Sequence, residues 1–67
     1  MKMHPSVTLD RVVAAVRRYN ETTDNPGICI ACGADAEDVE PDARAYECDH
    51  CGSHRVYGAE ELLMMLA

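Results

Sequence analysis

The sequence predicts a small α+β domain in which short antiparallel strands, pinned by a four-cysteine cluster, lie between an N-terminal and a C-terminal helix. Three observations predict it. Apolar residues recur at helical spacing near both ends. All four cysteines fall in two identical Cys-x-x-Cys-Gly units between residues 29 and 51. Around those units stand strand-like residues and turn formers rather than a helical pattern. The 67 residues are read as one domain, 1–67.

The first helix is expected over residues 8–20. Leu9, Val12, Val13, Val16 and Tyr19 recur at i, i+3, i+4, i+7 and i+10, which places them on one stripe about 120° wide. Thr8 suits the N-cap, Asp10 the first turn, and Arg17 and Arg18 the last. The β-branched valines lower intrinsic propensity, so packing must hold this helix. Residues 1–7 read as a loose lead-in made extended by Pro5, and Asn20 to Gly27 as a polar stop and turn.

The middle section, 28–57, is expected to carry the strands. Ile28 and Ile30 flank Cys29, and Arg55-Val56-Tyr57 reads as a returning strand. Ala34 to Glu40 is acidic and reads as a solvated loop. Pro41-Asp42-Ala43-Arg44 is a turn, with Ala45-Tyr46-Glu47 a short strand entering the second cysteine unit. A second helix follows over 59–66, with Gly58 as its N-cap and Glu60 and Glu61 in its first turn. Leu62, Leu63, Met65 and Leu66 form one broad face, and Met64 falls on the other side near Glu60.

The cysteines carry the chemistry. Cys29, Cys32, Cys48 and Cys51, with fifteen residues between the second and third, have the spacing of a four-thiolate metal site. A Cys-x-x-Cys turn delivers two sulfurs to one ion, and a second turn completes a tetrahedron. The glycine after each second cysteine, Gly33 and Gly52, permits the positive φ that turns backbone N–H groups toward the sulfurs. One Zn²⁺ per chain is the expected cofactor, with iron the less favoured alternative, because only Tyr46 and Tyr57 could pack near it. Two matched pairs argue against a thioredoxin-like redox site, which needs one reactive pair. His50 and His54 read as surface residues beside an already complete set, and His4 as part of the lead-in.

Cys29-Ile30-Ala31-Cys32-Gly33 and Cys48-Asp49-His50-Cys51-Gly52 resemble the two knuckles of a zinc ribbon. The resemblance covers about residues 28–57, makes the four cysteines its ligands, and implies two knuckles pinching one zinc against a small sheet. More loosely, Glu40 to Arg44 and Val56 to Leu62 make the chain similar to small uncharacterised zinc-ribbon proteins of bacteria and bacteriophages. That likeness implies no activity. Ribbons serve many roles, so the fold does not choose the function.

Composition narrows the choice. Six Lys and Arg against twelve Asp and Glu give a formal charge of −6, which opposes non-specific nucleic-acid binding. With a divalent ion held by four thiolates the total becomes roughly −8. The N-terminus lacks an apolar run of signal-peptide length, and the longest apolar run is Leu62 to Ala67, so a cytoplasmic protein with reduced thiols is expected. A site closed by four cysteines leaves no position for water or substrate, so no enzymatic role is expected. The expected function is a zinc-binding small protein acting through protein contacts, regulatory or a phage accessory. The apolar C-terminal helix belongs first to the core and second to a homodimer or partner groove. The alternative is a nucleic-acid-binding ribbon using Arg11, Arg17 and Arg18, or Arg44 and Arg55 near the second knuckle.

Overall fold

Thr8 starts the first helix as its residue type demands. Its side-chain oxygen accepts the Arg11 N–H at 3.3 Å, and α1 runs Leu9–Glu21. Thr22 ends it, with both its N–H and its hydroxyl donating to the Arg18 carbonyl. The structure is a computed structural model that describes residues 3–22 and 24–66. Met1 and Lys2 of the lead-in, Thr23 of the polar turn and Ala67 at the end of the apolar run lie outside them. After α1 come β1 (Gly27–Cys29), β2 (Asp35–Ala36), β3 (Val56–Gly58) and α2 (Ala59–Leu66). The fold is thus a small α+β arrangement with two helices and one three-stranded antiparallel sheet, ordered β2-β1-β3. Among the described residues, no helix is long and apolar enough to cross a membrane.

β1 is the central strand, and its alternation divides the interior. Ile28 and Ile30 face a cluster with Val7, Val12 and Leu62, against which Tyr57, Leu63, Met65 and Leu66 pack. Cys29 faces the other way, into a cluster with Val39, Ala43, Cys48 and Val56. The register matches these faces, pairing Ile28 with Tyr57 and Cys29 with Val56. One core is aliphatic and ties the two helices to the sheet. The other is built around sulfur.

Several segments differ from the sequence expectation. The buried face of α1 is centred on Val12, with Ala15, Val16 and Tyr19 half-buried, while Leu9 and Val13 remain 51% and 38% exposed. The face is turned toward Ala15 by roughly 60°. Arg11 explains the turn: its guanidinium donates to the Ser6 and Gly33 carbonyls and the Asp35 carboxylate, which draws that side of the helix inward. The lead-in is not loose over residues 3–7. The His4 N–H donates to the Ile30 carbonyl at 2.7 Å, and Val7 is buried. The acidic run is not simply a solvated loop either, since Asp35–Ala36 forms β2, and Asp35 and Glu37 pair with Arg11 and Arg18. Ala45 to Glu47 contributes one isolated bridge, Tyr46 to Val56, instead of a strand. Gly58 closes β3 rather than serving only as a cap, and the Pro41 carbonyl accepts the Glu61 N–H at the start of α2.

Other expectations hold. Pro41 occupies the second position of a turn closed by the Ala43 N–H donating to the Glu40 carbonyl at 2.9 Å. In α2, Leu62 is fully buried and Met64 is 69% exposed.

Candidate metal centre

Each cysteine pair sits on a knuckle whose backbone closes on itself, and the two knuckles are near copies. In the first, the Cys29 N–H donates to the Ala34 carbonyl at 2.9 Å and the Gly33 N–H to the Cys29 carbonyl at 2.8 Å. In the second, the Cys48 N–H donates to the Ser53 carbonyl at 2.7 Å and the Gly52 N–H to the Cys48 carbonyl at 2.9 Å. Gly33 and Gly52 have φ of 80° and 78°, the left-handed conformation expected of them.

This doubling brings the four sulfurs together. Cys29, Cys32, Cys48 and Cys51 place their Sγ atoms within 4.8 Å of one another. Cys29 lies 3.7 Å from Cys51 across the knuckles, and Cys32 lies 3.7 Å from Cys48. A tetrahedron of sulfurs at about 2.3 Å from a central zinc has edges of about 3.8 Å. The observed separations match that edge and are far too long for disulfides, and all four cysteines are free. The four are therefore positioned to hold one metal ion, in an arrangement compatible with a zinc ribbon. His50 and His54 are exposed and stand outside this group, and His4 bonds Ser6 through Nδ1 at 2.8 Å.

The electrostatics suit a cation. Burial pushes the Cys29 thiol up, but the Cys32 N–H, the Ser53 hydroxyl and the Ala31 N–H outweigh it and bring the thiol down to about 6. The Ser53 hydroxyl and N–H lower Cys51. The Ala34 N–H lowers Cys32, yet burial and the neighbouring Cys29, Cys51 and Cys48 sulfurs push it up to about 12. Hydrogen-bond donors thus lower two of the thiols while neighbouring sulfurs raise a third, a crowding of like groups that a central cation would relieve. The Cys48 sulfur accepts the His50 and Cys51 N–H groups at 3.4 Å. Every donor atom is sulfur, so the residues fit a thiophilic ion and the set of four is complete.

Sequence reasoning missed two contributors. Ser53 presents its hydroxyl 3.1 Å from Cys51 Sγ and 3.6 Å from Cys29 Sγ. Its only signal was its position two residues after Cys51. Arg11, read from the sequence as part of a basic surface in the nucleic-acid alternative, holds the first knuckle through Gly33. Substitutions separate the two glycines. Gly52→Ala meets open space, so its cost should be the left-handed backbone alone, about 1–2 kcal/mol. Gly33→Ala should cost more, because the added carbon runs into Ser6 Oγ and comes to 2.9 Å from His4 Nδ1. Thermal melts of the two metal-loaded variants check this, and equal losses would contradict the packing of the lead-in on the first knuckle.

Comparison with family models, curated proteins and solved structures returns no match to this chain.

Proposed function

We propose that this chain is a non-enzymatic zinc protein whose metal is structural and whose work is done through protein contacts. The observation that carries the reading is the closed set of four sulfurs, supplied by two matching knuckles at tetrahedral spacing. When bound, zinc supplies a fixed cross-link between the knuckles and no open coordination position. The apolar groups around the sulfurs are Val39, Ala43, Val56, Ala34 and Ala36, and Tyr57 packs in the other core, which favours zinc over a rubredoxin-like iron. Metal analysis should find about one zinc per chain, as a single four-ligand site requires. Iron in that analysis would overturn the assignment.

Protein rather than nucleic acid is the favoured partner class because the chain is acidic and three of its five arginines are engaged, while Arg17 and Arg55 are exposed. Arg11, Arg18 and Arg44 are paired with Asp35, with Asp24 and Glu37, and with Glu61 respectively. Asp38, Glu47 and Asp49 stay exposed beside the second knuckle, a surface suited to a basic partner. The reduced thiols suit the cytoplasm, and a role as a regulatory or phage accessory protein remains part of this proposal. The zinc-loaded protein should show no binding to duplex or single-stranded oligonucleotides at low salt. Binding that weakens steeply as salt rises would instead establish the nucleic-acid reading.

A further inference from the structure

The two knuckles differ at one functional atom. In both, the sulfurs face backbone N–H groups at matching positions: Ala31 and Cys32 for Cys29, Ala34 for Cys32, His50 and Cys51 for Cys48, Ser53 for Cys51. Those donors come with the turn. The residue two beyond the second cysteine, however, is Ala34 in the first knuckle and Ser53 in the second. The Ser53 hydroxyl is thus a side-chain donor at the sulfur cluster with no counterpart in the first knuckle.

It stands where the cluster is most open. Cys29 and Cys48 are buried, Cys32 is half-buried, and Cys51 is exposed. A metal-bound thiolate has no proton to give, so between Ser53 and the sulfurs the hydroxyl must be the donor. With one proton it serves one sulfur at a time, and Cys51 at 3.1 Å is better placed than Cys29 at 3.6 Å. The Ser53 carbonyl accepts the Cys48 N–H, which fixes the backbone from which the hydroxyl projects. We propose that Ser53 is a positioning residue of the metal centre, whose hydroxyl hydrogen bond to Cys51 Sγ sets how tightly and how long that solvent-facing thiolate keeps its metal.

A thiolate in a four-thiolate site shares a net negative charge, and a donated hydrogen bond withdraws part of it from the sulfur. Without that bond the sulfur is a stronger nucleophile and is less well oriented toward the ion. At Cys51, which solvent reaches, both changes open the site to competing chelators and to electrophiles. This inference rests on the proposed metal centre, so the test must separate the two.

The experiment compares the zinc-loaded protein with Ser53→Ala and Ser53→Thr, the second of which keeps a hydroxyl. Competition with a chromophoric chelator should show Ser53→Ala holding zinc about tenfold less tightly, at the lower end of the outer-shell range. Iodoacetamide should alkylate Cys51 faster in that variant. Cobalt-substituted Ser53→Ala should show its thiolate-to-metal charge-transfer band moved to lower energy, a change that a purely structural loss would not produce. Ser53→Thr should restore all three. Wild-type affinity, alkylation rate and band position in Ser53→Ala would overturn the role of Ser53 while leaving the centre intact. A wild-type chain that binds neither zinc nor cobalt would overturn the centre and this inference together.

Discussion

Removing zinc from the proposed centre is expected to unfold the four-cysteine section, not merely loosen it. One of the two cores is made of the sulfur cluster itself, with Cys29 and Cys48 almost fully buried among Val39, Ala43 and Val56. Without a cation, Cys29 with Cys51 and Cys32 with Cys48 must either share negative charge at 3.7 Å or take up protons inside a space shaped for an ion. A structural zinc contributes roughly 10–16 kcal/mol of apparent binding free energy in small zinc-finger peptides. Whole domains are stable by only about 5–15 kcal/mol, so the loss exceeds what a chain of 67 residues can absorb. Addition of a strong chelator should abolish the cooperative thermal transition followed by circular dichroism. Cys48→Ser should do the same without a chelator, and acidification acts in the same direction because protons compete for the sulfurs. Native helix content and an unchanged Tm after chelation would show the metal to be dispensable.

The second large effect is expected from one methyl group. Gly58 ends β3 and begins the passage into α2, where the Glu40–Ala43 turn lies directly upon it. A Cβ added there would collide with the Glu40 carbonyl oxygen and come to 2.6 Å from both the carbonyl carbon and oxygen of Pro41. All three atoms are backbone, so no side chain can rotate away. The turn would have to lift, and it could not do so alone. The Ala43 carbonyl accepts the Gly58 N–H at 3.1 Å, and the Pro41 carbonyl accepts the Glu61 N–H at 3.0 Å. Buried Val39 and Ala43 would shift with the turn, disturbing the sulfur-lined core. Overpacking of this kind costs about 1–3 kcal/mol when neighbours can yield, and here the upper end or more is expected. Denaturant unfolding of zinc-loaded Gly58→Ala measures it against Gly52→Ala, the glycine with open space around it. Equal stability of the two variants would mean that the turn does not rest on Gly58.

The contrast between those glycines marks what was legible in the sequence. Gly33 and Gly52 could be assigned their conformation because they follow paired cysteines, and the turn residue Pro41 because proline fixes its own φ. Both helices were readable within a residue or so of their ends, since Thr8 and the recurring apolar positions are local signals. The position of Gly58 under the Glu40–Ala43 turn has no local signal, because it depends on two segments meeting in space. The same holds for Arg11 and Asp35, which lie 24 positions apart and each look like an ordinary solvated charge. β2 is two residues long and shows no alternation to detect. The face of α1 was misjudged because Leu9 and Val13 obey helical periodicity as well as Val12 does. Which of them is covered is decided by α2, whose Leu62 packs with Val12, together with the docked lead-in and first knuckle, none of them a local signal.

The central strand has a further consequence. β1 is three residues long, yet its pleat sends isoleucine to one core and cysteine to the other. A slip of one residue against β3 would exchange them, seating a thiol among leucines and an isoleucine among sulfurs. Most short sheets are aligned by modest differences in hydrophobicity. Here the wrong alignment would also take Cys29 out of the four-sulfur cluster, so in the proposed metal centre coordination would act as a proofreader, rewarding only the pairing that brings sulfur to sulfur.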